Sequence, residues 1–408
     1  MRILMLAQFY PPTIGGEERH VADLSADLVA RGHDVSVATL WHKGPPRYEV
    51  SRGVQIHRIR GSMQRLEAVF RYGDRQFSPP FTDPEAMLAL KQIIEKERPD
   101  IIHAHNWIVH SVTPLKAWSK AKLVMTLHDY SLVCVQKRLM NNGVARCSGP
   151  GFTKCLSCAR NFYGPKGIAI SLANRAWGVL ERQAVDMFLP VSNSVADETH
   201  LKKHAVPFQI VPNFIPDEPE SLTEDTETLL TKLPKQDFLL YVGDVMPDKG
   251  IDVLLEAHAK LDRKIPLVLI GRPIDGYLEH FPPNVIYMGR WPHNAVMQAW
   301  KLSTMALVPS TCPDACPSVA MEAMKMGVPI VASRIGGLTD IVEDGVTGLL
   351  VTPDDPQALQ AGIQHVLNDE ELRNRMRIGA MKRVEEFQAK SVVPRIEQVY
   401  REVLMSCR

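Results

Sequence analysis

Thr311–Gly337, TCPDACPSVAMEAMKMGVPIVASRIGG, is the stretch on which the fold is read. Asp314 and Glu322 stand eight residues apart across a Cys-Pro-Ser turn. A helix is expected to begin near Ser318, whose side-chain oxygen suits an N-cap. Val319, Met324 and Met326 give that helix an apolar face, and Gly327 is placed to end it. Val328–Ala332 then reads as a buried strand. Asp314 falls in the loop entering the helix, and Glu322 one turn inside it. The free N–H groups and positive dipole end between them suit a phosphate. A carboxylate on each side suits sugar hydroxyls, so the combination fits a sugar nucleotide.

Upstream, strand Phe238–Val242 runs into Gly243-Asp244-Val245-Met246-Pro247-Asp248-Lys249-Gly250, and a helix is expected from about Ile251. Lys249 puts an ammonium beside a helix start, which suits a diphosphate, although a solvated surface lysine has the same spacing. Strands Leu267–Ile270 and Val285–Met288 end in Gly271-Arg272 and Gly289-Arg290-Trp291. Arg290 and Trp291 are candidates for a nucleotide base, through main chain or by stacking. Met305–Val308 is the strand leading into the opening stretch.

The N-terminal half has the same rhythm. Strand Ile3–Ala7, the Gly15-Gly16 loop, a helix over about Glu17–Ala30 and strand Val35–Leu40 form a βαβ unit, so a parallel sheet is expected. Strand Ile101–Ala104 carries His103 and His105 on one face. They are candidates for acceptor contacts, for cleft architecture, or for a metal that lacks an obvious third ligand. Strand Lys122–Leu127 ends in His128-Asp129, beyond the carboxyl end where ligands of α/β sheets bind. Strand Gln209–Val211 ends in Pro212-Asn213, and the acidic run Pro216–Pro234, with Asp217, Glu218, Glu220, Glu224, Asp225 and Glu227, suits a linker and a surface helix. Three helices close the chain, at about Pro356–Leu367, Glu370–Phe387 and Ser391–Cys407.

These motifs together resemble the retaining GT-B glycosyltransferases of the family-4, or group 1, type. Asp314 through Glu322-Ala323-Met324 resembles the family's E-x7-E motif with Asp for the first Glu. Gly15-Gly16-Glu17-Glu18-Arg19-His20-Val21 is similar to its first loop, Pro212-Asn213 to its domain-crossing turn, and Gly336-Gly337 with Asp340 to its GG..E turn. Asp244 stands where the family has an Arg that holds the diphosphate with Lys249. Arg334 is a candidate to replace it. The resemblance implies two Rossmann-like domains facing across a cleft: residues 1–213 for the acceptor, residues 214–388 for the nucleotide sugar, and a last helix over 389–408 packing back on the first domain. It implies catalytic roles for His128 and Asp314. It also implies donor contacts from Gly15, Gly16, Lys249, Ser318, Val319 and Glu322, with Glu322 on the ribose. Transfer with retention, to an acceptor hydroxyl in polysaccharide or glycoconjugate synthesis, is the expected activity. A non-hydrolysing nucleotide-sugar epimerase and a non-catalytic sugar-nucleotide-binding protein are the alternatives.

Composition bounds these readings. A chain of 408 residues is long for one core, so two domains are expected. With 45% hydrophobic and 23% charged residues and a net charge of +1, the chain has no global field for nucleic acid or membrane. No apolar run is long enough for a membrane span, and the N-terminus lacks signal-peptide features, so a cytoplasmic enzyme is expected, at most peripheral to the inner face of the membrane. The stretch Val54–Phe77, with Arg58, Arg60, Arg65, Arg71 and Arg75, is read as a solvated face ahead of an anionic-acceptor or membrane surface. No D-x-D pair suits a catalytic metal, so metal-independent transfer is expected. Cys134, Cys147, Cys155 and Cys158, spaced C-x12-C-x7-C-x2-C, suggest a metal-ordered insert at about 134–158. Structural zinc comes first, an iron–sulfur cluster second, and four reduced thiols are the alternative.

Overall fold

The structure is a computed structural model, and it describes residues 1–13, 15–65, 77–143, 145–218, 221, 223–273, 277 and 281–406. Arg71, Arg75, Glu220 and Cys407, named above, lie outside the described residues. The chain divides into two compact units. The first comprises Met1–Asn142, Cys147–Asn213 and Ala389–Arg408; the second comprises Gly143–Arg146 and Phe214–Gln388.

The strands in chain order are β1 (Arg2–Ala7), β2 (Asp34–Leu40), β3 (Tyr48–Ser51), β4 (Val54–Ile59), β5 (Ile101–His105), β6 (Lys122–Leu127), the two-residue pieces β7 (Met140–Asn141) and β8 (Ala145–Arg146), β9 (Met187–Pro190), β10 (Leu239–Val242), β11 (Leu267–Ile270), β12 (Val285–Tyr287), β13 (Met305–Val308), β14 (Ile330–Ser333) and β15 (Gly348–Val351). The helices are α1 (Gly16–Ala30), α2 (Pro84–Glu97), α3 (Val109–Val112), α4 (Phe152–Tyr163), α5 (Lys166–Ala184), α6 (Asn193–Glu198), α7 (Glu224–Leu230), α8 (Ile251–Ala259), α9 (His293–Leu302), α10 (Ser318–Lys325), α11 (Leu338–Ile341), α12 (Pro356–Asn368), α13 (Glu370–Arg383) and α14 (Ala389–Met405).

The first unit is built on a sheet of order β3-β4-β2-β1-β5-β6-β9. Every pairing is parallel except β3 with β4. The order reverses at β1, flanked by β2 and β5, so the loops after β1 and β5 splay apart there and leave a crevice. Helix α14 packs on α1 and β6 of this unit. Its Glu397 meets Arg31 (3.2 Å) and His33 (2.7 Å), and the Tyr400 hydroxyl meets His103 Nδ1 (2.6 Å).

The second unit has the all-parallel order β12-β11-β10-β13-β14-β15. Its strands are apolar on both faces, as a parallel sheet covered on both sides requires. Leu240, Val268, Ala306 and Ile330 enter one core, and Leu239, Leu267, Met305 and Val331 the other. This order reverses at β10, between β11 and β13.

Two regions differ from the sequence reading. The Arg-rich stretch opens with β4, and Arg58 is buried rather than solvated. Its guanidinium reaches Glu49 (2.5 Å) and the carbonyls of Pro46 (2.9 Å) and Pro11 (3.1 Å). Arg60 stacks over Trp41 at 4.2 Å, and Arg65 pairs with Glu85. The cysteine-rich insert contains a helix, α4, which carries Cys155 and Cys158.

Candidate active site

In the second unit the loops that leave β10 and β13 at the switch point are stitched together by backbone. The Asp248 carbonyl accepts from the amides of Thr311 and Cys312, both at 3.1 Å. Gly250 makes the turn into α8 with φ +75°, and a Cβ there would collide with the Pro309 carbonyl. No other residue type allows so close an approach. This contact brings Lys249 and Asp314, which are 65 residues apart, into an ion pair. Burial opposes the Lys249 charge, but Asp314 and then Cys312 outweigh it and hold the ammonium above the ordinary lysine range. The second Asp314 oxygen accepts from Ser310 Oγ at 2.6 Å. Gly337 N donates to the Asp314 carbonyl at 2.7 Å, and a Cβ on Gly336 would strike the Asp314 backbone. The Gly-Gly pair thus supports the Asp314 loop from behind.

Helix α10 starts at Ser318, as expected, but Pro317 occupies the N-cap and no side chain caps the turn. The expectation of Ser318 as cap is corrected on this point: it is the first helical residue, its amide and that of Val319 belonging to the open first turn. Glu322 is buried (5% exposed), with Oε1 at 3.3 Å from His293 Nε2. Arg290 is exposed, whereas Trp291 is 7% exposed and its indole N–H donates to the Met288 carbonyl at 3.2 Å. The indole belongs to the core, which corrects the expectation of a stacking platform. Asp244 pairs with Arg272 at 3.0 Å, so a guanidinium does stand at that position, supplied from the end of β11. Arg334 is engaged with Asp344 and with the Leu350 carbonyl (3.0 Å).

In the first unit Gly15 is the N-cap of α1 and Gly16 its first residue. His128 follows β6, and its Nε2 lies 2.8 Å from His105 Nδ1. His105 and His103 are wholly buried, their rings 4.4 Å apart, and His20 lies 5.1 Å from His128. Burial, foremost, pushes His128 down to about 4 and His103 to about 3, and pushes His20 and His105 well below the usual range. All four rings are therefore neutral at pH 7. His103 is an architectural residue, spanning Tyr400 and Thr126 Oγ1 (2.7 Å).

Beside them lies a polar group missed from the sequence. Asn106, in the left-handed region at φ +67°, donates from Nδ2 to Glu17 (2.9 Å) and toward Asp129 (3.3 Å) and accepts from Lys137. Burial and then the Asp129 charge push the Glu17 carboxyl up to about 7. The signal was present: Glu17 directly follows the glycine pair and Asp129 directly follows His128.

The four cysteines are free thiols along one cavity. Cys158 Sγ accepts from Gln136 Nε2 (2.9 Å) and Asn142 N (3.3 Å), Cys155 Sγ accepts from Gly151 N (3.3 Å), and Cys147 Sγ donates to the Gly149 carbonyl (3.3 Å). Burial, foremost, raises the Cys134 thiol, against backbone hydrogen bonds from Leu139, Gln136, Lys137 and Arg138. Among the described residues no three His, Cys, Asp or Glu side chains are grouped to hold a metal ion. The zinc and iron–sulfur expectations therefore find no support among the described residues, where each thiol has local partners and helix α4 carries two of them.

The glycosyltransferase group 1 model matches residues 225–383, and the glycosyltransferase family 4 model matches residues 14–218. The glycogen synthase of Mycobacterium tuberculosis is 29% identical over 98% of this chain and 94% of its own. Among solved structures, sucrose-phosphate synthase from Thermosynechococcus elongatus superposes with a TM-score of 0.74 at 21% identity, covering 98% of both chains. Anabaena HepE, solved in complex with UDP and glucose, superposes with a TM-score of 0.70 at 17% identity, over 98% of this chain and 100% of that one. The fold is GT-B. The chain belongs to the group 1, family 4 glycosyltransferases and is an enzyme of that class. Membership sets aside the epimerase and the non-catalytic binding protein.

Proposed function

We propose that the chain is a retaining glycosyltransferase that takes its sugar from a nucleoside diphosphate donor held on residues 214–388. The observation that carries this reading is Lys249, paired with Asp314 at the β10/β13 switch point and joined by backbone to the loop that enters α10. A diphosphate would take Asp314's place on the Lys249 ammonium and accept from the open amides at Ser318 and Val319. Negative charge builds on the leaving phosphate as the glycosidic bond breaks, and these donors stabilise it without reorganisation. Arg272 supplies a second cation, and Glu322, steadied by His293, takes the ribose hydroxyls. Arg290 contributes through its main chain beside the base. Asp314, once released, faces the sugar.

Residues 1–213, closed by 389–408, would hold the acceptor, with Gly15, Gly16 and His128 in the roles that the family resemblance implies. His128 is assigned from the family resemblance and from its place beyond β6. That HepE was solved with UDP and glucose supports a UDP-type donor without fixing the sugar. The acceptor hydroxyl belongs to a glycan, a lipid-linked sugar or a small molecule, in polysaccharide or glycoconjugate synthesis at the cytoplasmic side. No helix among the described residues is long and apolar enough to cross a membrane.

The test is a thermal-shift panel of nucleoside diphosphates, followed by turnover of the stabilising donor. Lys249→Ala should lower kcat by at least about 100-fold, the scale of losing one transition-state donor. Unchanged turnover with an unchanged melting temperature would overturn the assignment. Anomeric analysis of the product decides between retention and inversion.

A further inference from the structure

Helix α5 is inside out. Its buried residues are small or polar, Gly167, Ser171, Asn174, Gly178 and Glu181, with the part-buried Ile170 and Trp177 packed among them. Its exposed side carries Ile168, Leu172, Val179 and Leu180, with Leu172 45% and Val179 52% exposed. A surface helix of a globular protein normally has the opposite arrangement. The inward side is specific. Gly167 packs where any Cβ would collide with the Ala159 carbonyl, Asn174 donates to the Ser131 carbonyl at 3.0 Å, and Glu181 is paired with His110 at 2.8 Å. The rotation of the helix is therefore fixed by these contacts, and the apolar stripe is held outward. Helix α4 adds Phe152 (55% exposed) and Phe162 (43% exposed).

The charges on this pair of helices have one sign. Lys154, Arg160, Lys166, Arg175 and Arg182 stand on α4 and α5, and their single acid, Glu181, is 1% exposed. Arg175 lies 5.6 Å over the Phe152 ring, placing a cation and an aromatic together at the surface. A cavity of about 240 Å³ lies beneath, lined by the four cysteines with Leu139, Met140 and Leu156 and reaching Leu172 and Val179. Exposed aliphatic and aromatic side chains flanked by cations match the interface of an anionic bilayer, where each apolar group enters the acyl boundary and each cation meets a headgroup. Two copies of the chain pressed together by this face would oppose like charges, which argues against a homodimer.

We propose that the α4–α5 face is a docking surface for an anionic lipid bilayer. It is distinct from the Arg-rich stretch considered in the sequence and does not depend on the donor assignment. The test is co-sedimentation of the purified chain with phosphatidylcholine vesicles, with and without phosphatidylglycerol. Partition is expected onto the phosphatidylglycerol vesicles and is expected to fall as salt is raised. The double variants Leu172→Glu/Val179→Glu and Arg160→Glu/Arg175→Glu should each weaken it by at least about tenfold. All four side chains are exposed, and circular dichroism melts that match the parent exclude misfolding. No partition onto anionic vesicles, or equal partition by the folded variants, would overturn the proposal. A dimer in light scattering that Leu172→Glu/Val179→Glu dissolves, without vesicle binding, would assign the face to a second copy instead and equally overturn it.

Discussion

His105 and His128 share one hydrogen bond, and two neutral rings need one N–H between them. His105 Nε2 and His128 Nδ1 are both buried without a hydrogen-bond partner, and the Asn213 side chain stands beside His128. A buried N–H is costly away from an acceptor, so the outer N–H belongs on His128, toward Asn213, and His105 carries its proton on Nδ1 and donates it. His128 then accepts at Nε2 and keeps its own proton on Nδ1, with the Asn213 side chain as a neighbour. Nitrogen-15 NMR of the imidazoles should therefore show His128 in the Nδ1–H tautomer. His105→Asn should preserve this tautomer, because the amide N–H replaces the lost donor, and His105→Leu should abolish it. A dominant Nε2–H form in the parent would refute the assignment.

The same cluster fixes a pH dependence. The unfolded histidines titrate near 6.5, whereas folded His128 and His103 take up protons only near 4 and 3. Between those values the unfolded chain binds more protons, so stability falls as pH drops below about 6.5. Urea titrations at stepped pH should show the loss beginning there, and His103→Gln should make it shallower. At Asp314 two effects oppose each other. Asp314→Asn removes the carboxylate competing for Lys249, so affinity for a nucleoside diphosphate should rise by about three- to tenfold while transfer falls, part-exposed ion pairs being worth about 1 kcal/mol. Calorimetry and turnover read the two separately.

At the scale of elements, helix ends decide more than helix lengths. Asp83 caps α2 by accepting from Glu85 N (3.0 Å) and Ala86 N (3.2 Å), with Pro84 opening the helix. It also receives Ser62 N and Oγ, both at 2.9 Å, so one carboxylate holds a helix start and the loop after β4. These bonds lower its pKa although burial opposes them. Asp83→Ala should cost about 2–3 kcal/mol, seen as a lower denaturation midpoint. The Asp-Pro-Glu start of α2 was legible because capping chemistry is local. So were the parallel strands, whose apolar runs have few other uses. Helix α4 was read past: Phe152, Cys155, Leu156, Ala159, Phe162 and Tyr163 recur at helical spacing, but the cysteine pair within the helix reads as a metal half-site. The Lys249–Asp314 pair was half legible. The sequence shows each residue at a loop mouth, but only the β10–β13 pairing shows that the two loops meet. The buried Arg58 was misread because its carbonyl partners, in two other segments, have no sequence signal.

At the scale of the molecule, the first unit is closed by residues that follow the second. His103 on β5 and Tyr400 on α14 are 297 positions apart and bonded. Tyr400→Phe leaves His103 Nδ1 buried without its partner and should destabilise this unit by about 1–3 kcal/mol. Proteolysis under partial denaturation should release fragments from residues 1–213 before those from 214–388. Preferential loss of the second unit would contradict this.

The order of synthesis gives α14 a further consequence. Ala389–Met405 leaves the ribosome after the second unit, nearly all of which is contiguous over Phe214–Gln388. The nascent N-terminal half must wait for residues 389–405 to emerge before its hydrophobic flank on α1 and β6 is covered. Stop codons placed just upstream of residue 389 would leave that flank permanently bare, a form that cellular quality control would handle as an unfinished protein.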